Sequence, residues 1–213
     1  MRMRKKEKIE AIYGAAMMVF AEFGFRKSTV EDIAAELGMT KGNLYLYVRD
    51  KKDLYEKAVG HALLRWQRLV RDAVSQEPDV RKQFMVMGTK ALEYLSRDND
   101  LRMVLIRDPA IFPLFPVKDP YSQINRNSVN MIRNILKRGI DEGAFRAVNL
   151  KTMPDVLFSI YKMLVIRTYI AHEGTSMKRM FADTLETVAL GIFRDNAGTN
   201  GEIKNPKRRE GGS

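Results

Sequence analysis

The chain has 213 residues, and its 37 lysines and arginines outnumber its 26 aspartates and glutamates, which gives a formal net charge of +11. It has no cysteine and only two histidines, which excludes a disulfide scaffold, a thiolate nucleophile and a cysteine-ligated metal site. Hydrophobic residues make up 45% of the chain, as in folded soluble proteins, and neither an apolar signal core nor a membrane-spanning stretch is apparent. We therefore expect a cytoplasmic protein with no membrane partner, basic enough to bind a polyanion.

The positive charge is spread along the chain. Residues 1–55 carry a net charge of +3, residues 56–197 carry +6, and residues 198–213 carry +2. The segment 196–213 is rich in glycine, asparagine, lysine and arginine and lacks apolar periodicity, which predicts a disordered basic tail. Its Lys207-Arg208-Arg209 run is either solvated or in contact with phosphates.

Helical spacing of apolar residues begins at the N-terminus and predicts a first helix over 5–23, with Gly24 just beyond its end in a left-handed conformation. Thr29 is then the expected N-cap of a short second helix that ends at Gly38. Thr40 is the expected N-cap of a short third helix. We therefore predict three helices in close succession, the last two joined by a tight turn.

The rest of the chain also has helical spacing. Asp50 is the expected N-cap of a long helix that reaches Val74 and stops before Pro78. Five further helices are predicted at about 80–96, 100–107, 120–142, 150–172 and 176–195. Between the second and third of these, the apolar segment 108–116 contains three prolines, so it should interrupt the helices and pack onto the core or line a cavity. No alternating strand pattern is found, and the predicted fold class is all-α with about nine helices.

The two short helices with a glycine turn between them predict a helix-turn-helix motif, in which the second short helix enters the major groove of DNA. Leu44 and Val48 should face inward, which leaves a polar outer face. The candidate DNA-binding residues are Thr29, Thr40, Lys41, Gly42, Asn43, Tyr45, Tyr47 and Lys51.

These residue types suit DNA for different reasons. Lys41 can donate to phosphates or base edges, Gly42 permits close approach of the backbone, and the amide of Asn43 fits adenine best. The hydroxyl of Tyr45 or Tyr47 should reach the sugar–phosphate backbone, while Lys51 should face phosphates from the start of the long helix. The alternatives are that the lysines are simply solvated, that the threonines only cap helices, and that the asparagine serves the first helical turn.

One set of residues between Ile12 and Leu54 resembles the sequence pattern of a known protein family. The set is Ala15-Ala16, Phe20, Gly24, Thr29, Val30, Asp32-Ile33-Ala34, Gly38, Lys41-Gly42, Leu44-Tyr45, Tyr47, Lys51 and Leu54. This stretch resembles the DNA-binding domain of the TetR (tetracycline-repressor) family of bacterial transcription regulators. The sequence departs from the family pattern at Val48, where phenylalanine is usual, and at Asp50, where serine or asparagine is commoner.

The resemblance implies a helix-turn-helix DNA-binding domain over 1–52, followed by a helical effector-binding and dimerisation domain over 53–195. The chain holds 13 methionines, which fill cores but also adapt to ligands of varied shape. An arginine among apolar residues could meet a carboxylate or phosphate on a lipophilic ligand, although a surface position is the alternative. The candidate pocket residues are Phe84, Met87, Met103, Phe112, Phe115, Met131, Met163 and Arg167.

The last two predicted helices have more apolar surface than one core requires, which suggests burial against a second subunit. The resemblance implies a four-helix dimer interface built from these helices. The candidate interface residues are Val156, Ile160, Leu164, Phe181, Leu185, Val188 and Ile192.

Together these features predict a ligand-responsive transcriptional repressor. We expect it to bind a pseudo-palindromic double-stranded DNA operator as a homodimer and to be released by a small lipophilic effector, with an anion such as a fatty acid or acyl-CoA as a first hypothesis. No cofactor, metal site or catalytic set is predicted. The alternatives are a non-regulatory architectural DNA-binding protein and a helical enzyme, for which the sequence offers no nucleophile, acid–base pair or metal-ligand set.

Overall fold

The computed structural model describes residues 5–111, 119–169 and 174–194, without the side chains of 110, 168–169 and 174–178. Within these ranges the protein is built from nine α-helices, which confirms the predicted all-α class. They are α1 (Lys5–Lys27), α2 (Val30–Glu36), α3 (Lys41–Tyr45), α4 (Lys51–Ser75), α5 (Val80–Arg97), α6 (Asn99–Arg107), α7 (Ser122–Asp141), α8 (Met153–Tyr169) and α9 (Gly174–Ile192). A 3-10 turn, Pro109–Ile111, follows α6. The predicted tail over 196–213 lies outside the described residues.

Side-chain caps set where most of these helices begin. The hydroxyl of Thr29 accepts a hydrogen bond from the amide of Asp32 at 3.1 Å, and the Asp32 carboxylate accepts one from the amide of Thr29 at 2.8 Å, which forms a capping box. Asp50 accepts from the amide of Asp53 at 2.7 Å. The predicted caps of α2 and α4 are therefore confirmed, and α5 and α6 begin in the same way at aspartates.

Several helix ends differ from the prediction by a few residues, and two of them have a local explanation. Gly24 has φ 77° and ψ 160°, so its φ is positive as expected and the helix is kinked there, but helical residues continue beyond the kink to Lys27. At the other end of the chain, α8 begins at Met153 and not at residue 150. The side chain of Asn149 accepts from the amide of Lys151 at 2.9 Å, and this local turn delays the start of the helix.

The long helix α4 lies at the centre of the molecule. It packs against α1, α5 and α7, while α1 also contacts α6, and α8 packs between α7 and α9. One continuous apolar core runs from Phe20 in α1 through Leu54 and Leu95 to Ile192 in α9. The predicted domain boundary at 52/53 falls in the first turn of α4, so a single helix passes from one predicted domain into the other.

The end of α9 is fixed to the loop after α7. The amide of Arg146 donates to the carbonyl of Ile192 at 2.8 Å, and the rings of Phe145 and Phe193 stack with their centroids 5.0 Å apart. Gly139 leaves room for the Phe145 ring, which would otherwise overlap a Cβ atom at that position. This contact holds α9 against the rest of the chain. None of the helices that the structure describes has the length and apolar character of a membrane span.

Candidate DNA-binding face and internal cavity

The turn between α2 and α3 sets the angle of the motif. Gly38 adopts φ 61°, a left-handed conformation that costs glycine least, and its amide donates to the carbonyl of Ala35 at 3.0 Å. Ile33, Leu44 and Val48 are buried, so the two short helices are held inward as predicted. The opposite face of α3 is left in solvent.

That outer face carries the predicted DNA-binding residues. Thr40, Lys41, Gly42, Asn43 and Tyr45 are all exposed, and the Thr40 hydroxyl accepts from the Asn43 amide at 3.2 Å, so Thr40 does cap α3. Thr29 caps α2 and is also exposed. The structure thus brings these side chains to one surface, while their contact with DNA stays a prediction.

The two tyrosines lie beside one shallow depression after α3. Tyr45 and Tyr47 line it together with Arg49 and Lys57. Tyr47 is half-buried, and the Lys8 ammonium lies 5.6 Å from the centre of its ring. Leu46, between the tyrosines, is 79% exposed. Its apolar side chain is a further candidate for contact with DNA that the sequence alone did not single out.

Lys41 is paired with an acidic residue of the preceding helix. Its ammonium lies 2.5 Å from a Glu31 carboxylate oxygen and 5.8 Å from the centre of the Tyr45 ring. The hydrogen bond lowers the pKa of Glu31 and raises the pKa of Lys41. Glu31 was not singled out from the sequence as a DNA-face residue, because the contact depends on the geometry of the turn between the helices.

Lys51 has a position that differs from the expected one. Its ammonium donates to the carbonyls of Phe25 at 2.8 Å and of Ser28 at 2.9 Å, and it lies 4.6 Å from the centre of the Phe25 ring. The kink at Gly24 leaves carbonyls at the end of α1 in need of donors, and Lys51 supplies two bonds there. It therefore anchors the link between α1 and α2 in this structure, and its contact with phosphates stays a prediction.

A second donor, from α6, reaches the same end of α1. Arg107, at the end of α6, donates from Nε to the carbonyl of Ala21 at 2.8 Å, and Tyr55 of α4 donates from its hydroxyl to Asp108 at 2.7 Å. Burial and the neighbouring Asp108 carboxylate raise the pKa of Tyr55, which keeps it a donor at neutral pH. We call this meeting of α1, α4 and α6 the junction. It is the route by which α6 contacts the helix-turn-helix.

The first turn of α4 holds a nearly buried carboxylate. Asp53 is 6% exposed, and it accepts from the Lys57 ammonium at 2.7 Å, from the Arg49 amide at 3.0 Å and from the Arg49 guanidinium at 2.9 Å. These donors hold the pKa of Asp53 well below its usual range. The arrangement fixes the loop after α3 to α4.

A second candidate site is a cavity of about 130 Å³ between α4, α5, α7, α8 and α9. Its wall is mainly apolar and aromatic. The described lining residues are Leu63, Trp66, Gln67, Val70, Phe84, Met87, Gly88, Ala91, Ile124, Asn125, Ser128, Met131, Ile132, Leu157, Phe158, Ile160, Tyr161, Leu164, Phe181, Thr184, Leu185 and Val188. Among these described residues no side chain is charged.

The predicted pocket residues fall into three groups. Phe84, Met87 and Met131 do line the cavity. Met103 packs against the core away from the cavity. Met163 and Arg167 lie on the exposed side of α8, because they are one helical turn apart on a face that points away from the lining residues. The other two predicted pocket residues, Phe112 and Phe115, lie outside the described residues.

Most of the predicted interface residues also border the cavity. Those residues are Ile160, Leu164, Phe181, Leu185 and Val188. Ile192 is buried in the core of its own chain, while Val156 is 48% exposed. Among the described side chains of α8 and α9, the large apolar ones that remain exposed in this single chain are Val156, Met163 and Leu190, the last 72% exposed.

Part of the chain is similar in sequence to known regulatory proteins. Residues 12–58 match the family model described as bacterial regulatory proteins, tetR family. The fatty acid metabolism regulator protein of Bacillus subtilis is 20% identical over 190 residues, which cover 89% of this chain and 97% of that protein. The repressor BepR of Brucella suis is 36% identical over 133 residues, 60% of this chain and 64% of that protein.

Solved structures share the fold. FadR from Bacillus subtilis in complex with stearoyl-CoA superposes with a TM-score of 0.71 at 20% identity, and the match covers 85% of this chain and 98% of that one. SmeT, the repressor of a Stenotrophomonas maltophilia multidrug efflux pump, has a TM-score of 0.71 at 19% identity, with 94% and 97% covered.

Proposed function

The chain belongs to the TetR family of bacterial regulatory proteins, and we propose that it is a repressor that binds a pseudo-palindromic operator as a homodimer and is released by a small lipophilic molecule. One observation carries this proposal: a single helix, α4, starts shortly after α3 and runs past an apolar cavity. A change of shape at the cavity therefore has a continuous path to the DNA-binding face.

The DNA step depends on a few placed groups. Residues 1–55 have a net charge of only +3, so general electrostatic attraction to DNA is modest. In this proposal Thr40, Lys41 and Asn43 enter the major groove, while Tyr45 binds the backbone beside it. Lys41 exchanges its bond to Glu31 for a bond to a phosphate or a base.

The homodimer uses the outer sides of α8 and α9. Exposed Val156, Met163 and Leu190 lie on these two helices, and pairing the helices with those of a second subunit would remove this apolar surface from water. A two-fold axis then presents two α3 helices to successive turns of the DNA, about 34 Å apart.

Release follows from differential binding. The effector binds more tightly to the arrangement of α4, α5 and α7 in which the α3 helices no longer match the operator. It lowers the affinity of the repressor for the operator by up to the ratio of the effector's binding constants for the two arrangements. The junction carries this change, because Arg107 connects α6 to the end of α1 and Tyr55 connects α4 to the end of α6. The relatives with repressor names support a repressing role.

The test is DNA binding by the full chain. We expect the purified protein to shift a duplex from the region upstream of its own gene, and Tyr45→Ala to lower the affinity at least about tenfold by removing a backbone contact. Circular dichroism should show unchanged folding, because Tyr45 is exposed. Tyr94→Phe, which alters a tyrosine remote from this face, is the matched control.

The same assay separates a specific repressor from an architectural DNA-binding protein. Specific binding survives an excess of random duplex at fixed salt, whereas binding set by phosphates alone does not. Equal competition by random and upstream DNA would contradict the proposal.

A further inference from the structure

Two side-chain amides line the cavity, and the orientation of each can be worked out from its hydrogen bonds. The side-chain nitrogen of Gln67, on α4, donates to the carbonyl of Ile124 at 2.8 Å and to the hydroxyl of Ser128 at 2.8 Å. A backbone carbonyl can only accept, so the NH₂ group must face α7 and the amide oxygen must lie on the other side.

The neighbouring asparagine is fixed in the same way. The side-chain nitrogen of Asn125 donates to the carboxylate of Asp119 at 2.7 Å, and a carboxylate accepts only. The Gln67 nitrogen thus uses both of its N–H groups and the Asn125 nitrogen uses one, and among the described residues no donor is bonded to either amide oxygen. We call Gln67 Oε1 and Asn125 Oδ1 the acceptor corner.

Among the described lining residues, no side chain supplies a charge to balance a charged ligand. Trp66 donates its indole N–H to the carbonyl of Ala91 at 2.8 Å, so the indole presents its apolar ring. Arg167, the cation expected to meet an anionic effector, is exposed on α8 and is not part of the described lining. An ionised group transferred from water into such a cavity loses its hydration without gaining an oppositely charged partner among the described lining residues.

We propose that the effector is an uncharged, ring-sized apolar molecule with one hydroxyl or N–H group, such as an alkylphenol, which donates its hydrogen bond to Gln67. A carboxylate would instead bring its negative oxygens to the acceptor corner. The size agrees, because the cavity measures about 130 Å³, and an engineered protein cavity of about 150 Å³ holds a benzene molecule. This inference rests on the proposed function only for its regulatory consequence.

The position of Gln67 gives the bond a structural effect. The same side chain joins α4 to α7 through Ile124 and Ser128. A ligand bonded to the amide oxygen of Gln67 adds a third hydrogen bond to this side chain. The binding energy then acts directly on α4, the helix that begins beside the DNA-binding face.

The experiment compares three probes of nearly equal shape by calorimetry on the DNA-free protein. They are para-ethylphenol, para-ethyltoluene, which replaces the hydroxyl with a methyl group, and para-ethylbenzoate, which is an anion at neutral pH. We expect the phenol to bind about 3- to 10-fold more tightly than the toluene, as one net hydrogen bond predicts. The benzoate should bind at least about 100-fold more weakly than the phenol.

The variant Gln67→Leu tests whether the hydroxyl of the phenol is bonded to Gln67. It should reduce the preference for the phenol over the toluene to about twofold or less while toluene binding persists, which also shows that the cavity is intact. Gln76→Leu, at an exposed position just after the same helix, is the control and should keep the wild-type ratio. An unchanged ratio in Gln67→Leu, benzoate binding equal to phenol binding, or binding of none of the probes would each overturn the inference.

The regulatory consequence is measured separately, by the affinity for the upstream duplex with and without para-ethylphenol. Phenol binding in a protein that binds no DNA would contradict the proposed function and leave the ligand inference standing. Normal DNA binding without any phenol binding would contradict the ligand inference and leave the proposed function standing.

Discussion

Two lysines near the DNA-binding face are held by different kinds of partner. Lys41 is paired with an exposed carboxylate that it can exchange for a phosphate, whereas Lys51 is bonded to two backbone carbonyls at the end of α1. The first arrangement leaves a side chain available for DNA. The second makes the side chain part of the fold.

The role of Lys51 can be tested through stability. Lys51→Met removes the donor to the carbonyls of Phe25 and Ser28, and we expect the free energy of unfolding to fall by about 1–3 kcal/mol in urea denaturation. Lys52→Met is the control, since Lys52 is exposed and lies 3.9 Å from Glu56, and it should change stability by less than about 0.5 kcal/mol. If Lys51→Met weakened DNA binding without any loss of stability, the ammonium would act on DNA and not on α1.

Asp53 predicts a dependence of stability on pH. Its folded-state pKa is lowered by Lys57 and Arg49, so its contribution is fully present above the unfolded pKa of about 3.9 and is lost as the pH falls below that value. We expect Asp53→Asn to cost about 1–3 kcal/mol at pH 7, since Arg49 and Lys57 lose their acceptor. The difference from the wild type should shrink by about pH 3.

The control for this measurement is Asp141→Asn. Asp141 lies 2.5 Å from Lys137 but is 59% exposed, and such surface pairs contribute little. A difference between wild type and Asp53→Asn that stays constant from pH 7 to pH 3 would show that the charge of Asp53 is not responsible.

At the scale of secondary-structure elements, the junction connects three helices through few bonds. Arg107 is the only described side chain of α6 with a hydrogen bond to an α1 carbonyl. Arg107→Met should therefore speed amide hydrogen exchange near the end of α1 by about 10-fold, because losing one net hydrogen bond costs about 1.4 kcal/mol there. Arg97→Met, which removes only a surface ion pair with Glu93, should leave the exchange in α1 unchanged.

The elements differ in how far their sequence predicts them. The caps at Thr29, Thr40 and Asp50 are visible in the sequence because a cap bonds to an amide three residues away. The pairing of Lys41 with Glu31 joins two helices through a turn, and the bonds of Gln67 reach α7 more than 50 residues along the chain. A local sequence pattern carries no information about contacts between residues on different helices.

The helices α8 and α9 show the same limit for apolar residues. The apolar periodicity of α8 indicates that Ile160 and Leu164 are removed from solvent, but it does not identify what they pack against. In the structure they border the cavity of their own chain. Met163 has the opposite surroundings and is 42% exposed. Composition identifies both as apolar, and only the packing of neighbouring helices distinguishes a pocket wall from an outer surface.

At the scale of the whole molecule, the proposed dimer depends on the outer side of α9. Leu190→Glu places a charge at a 72% exposed leucine, and two-fold symmetry places it in the interface twice. We expect sedimentation to show a shift from dimer to monomer and a parallel loss of affinity for DNA. Leu69→Glu on α4, 43% exposed, is the control and should remain dimeric. Dimers of Leu190→Glu with wild-type stability would place the interface on another surface.

Helix α4 has 25 residues, and its first residue is about 24 Å from Gln67 along the axis at a rise of about 1.5 Å per residue. A rotation of only about 5° about Gln67 would move the N-terminal end of the helix by about 2 Å. Hydrogen bonds to phosphate form over about 0.5 Å of donor–acceptor distance, so a rotation too small to open the core is large enough to break them. In a two-fold dimer both halves rotate together, and the spacing of the recognition helices changes by up to twice that distance while each half keeps its own structure.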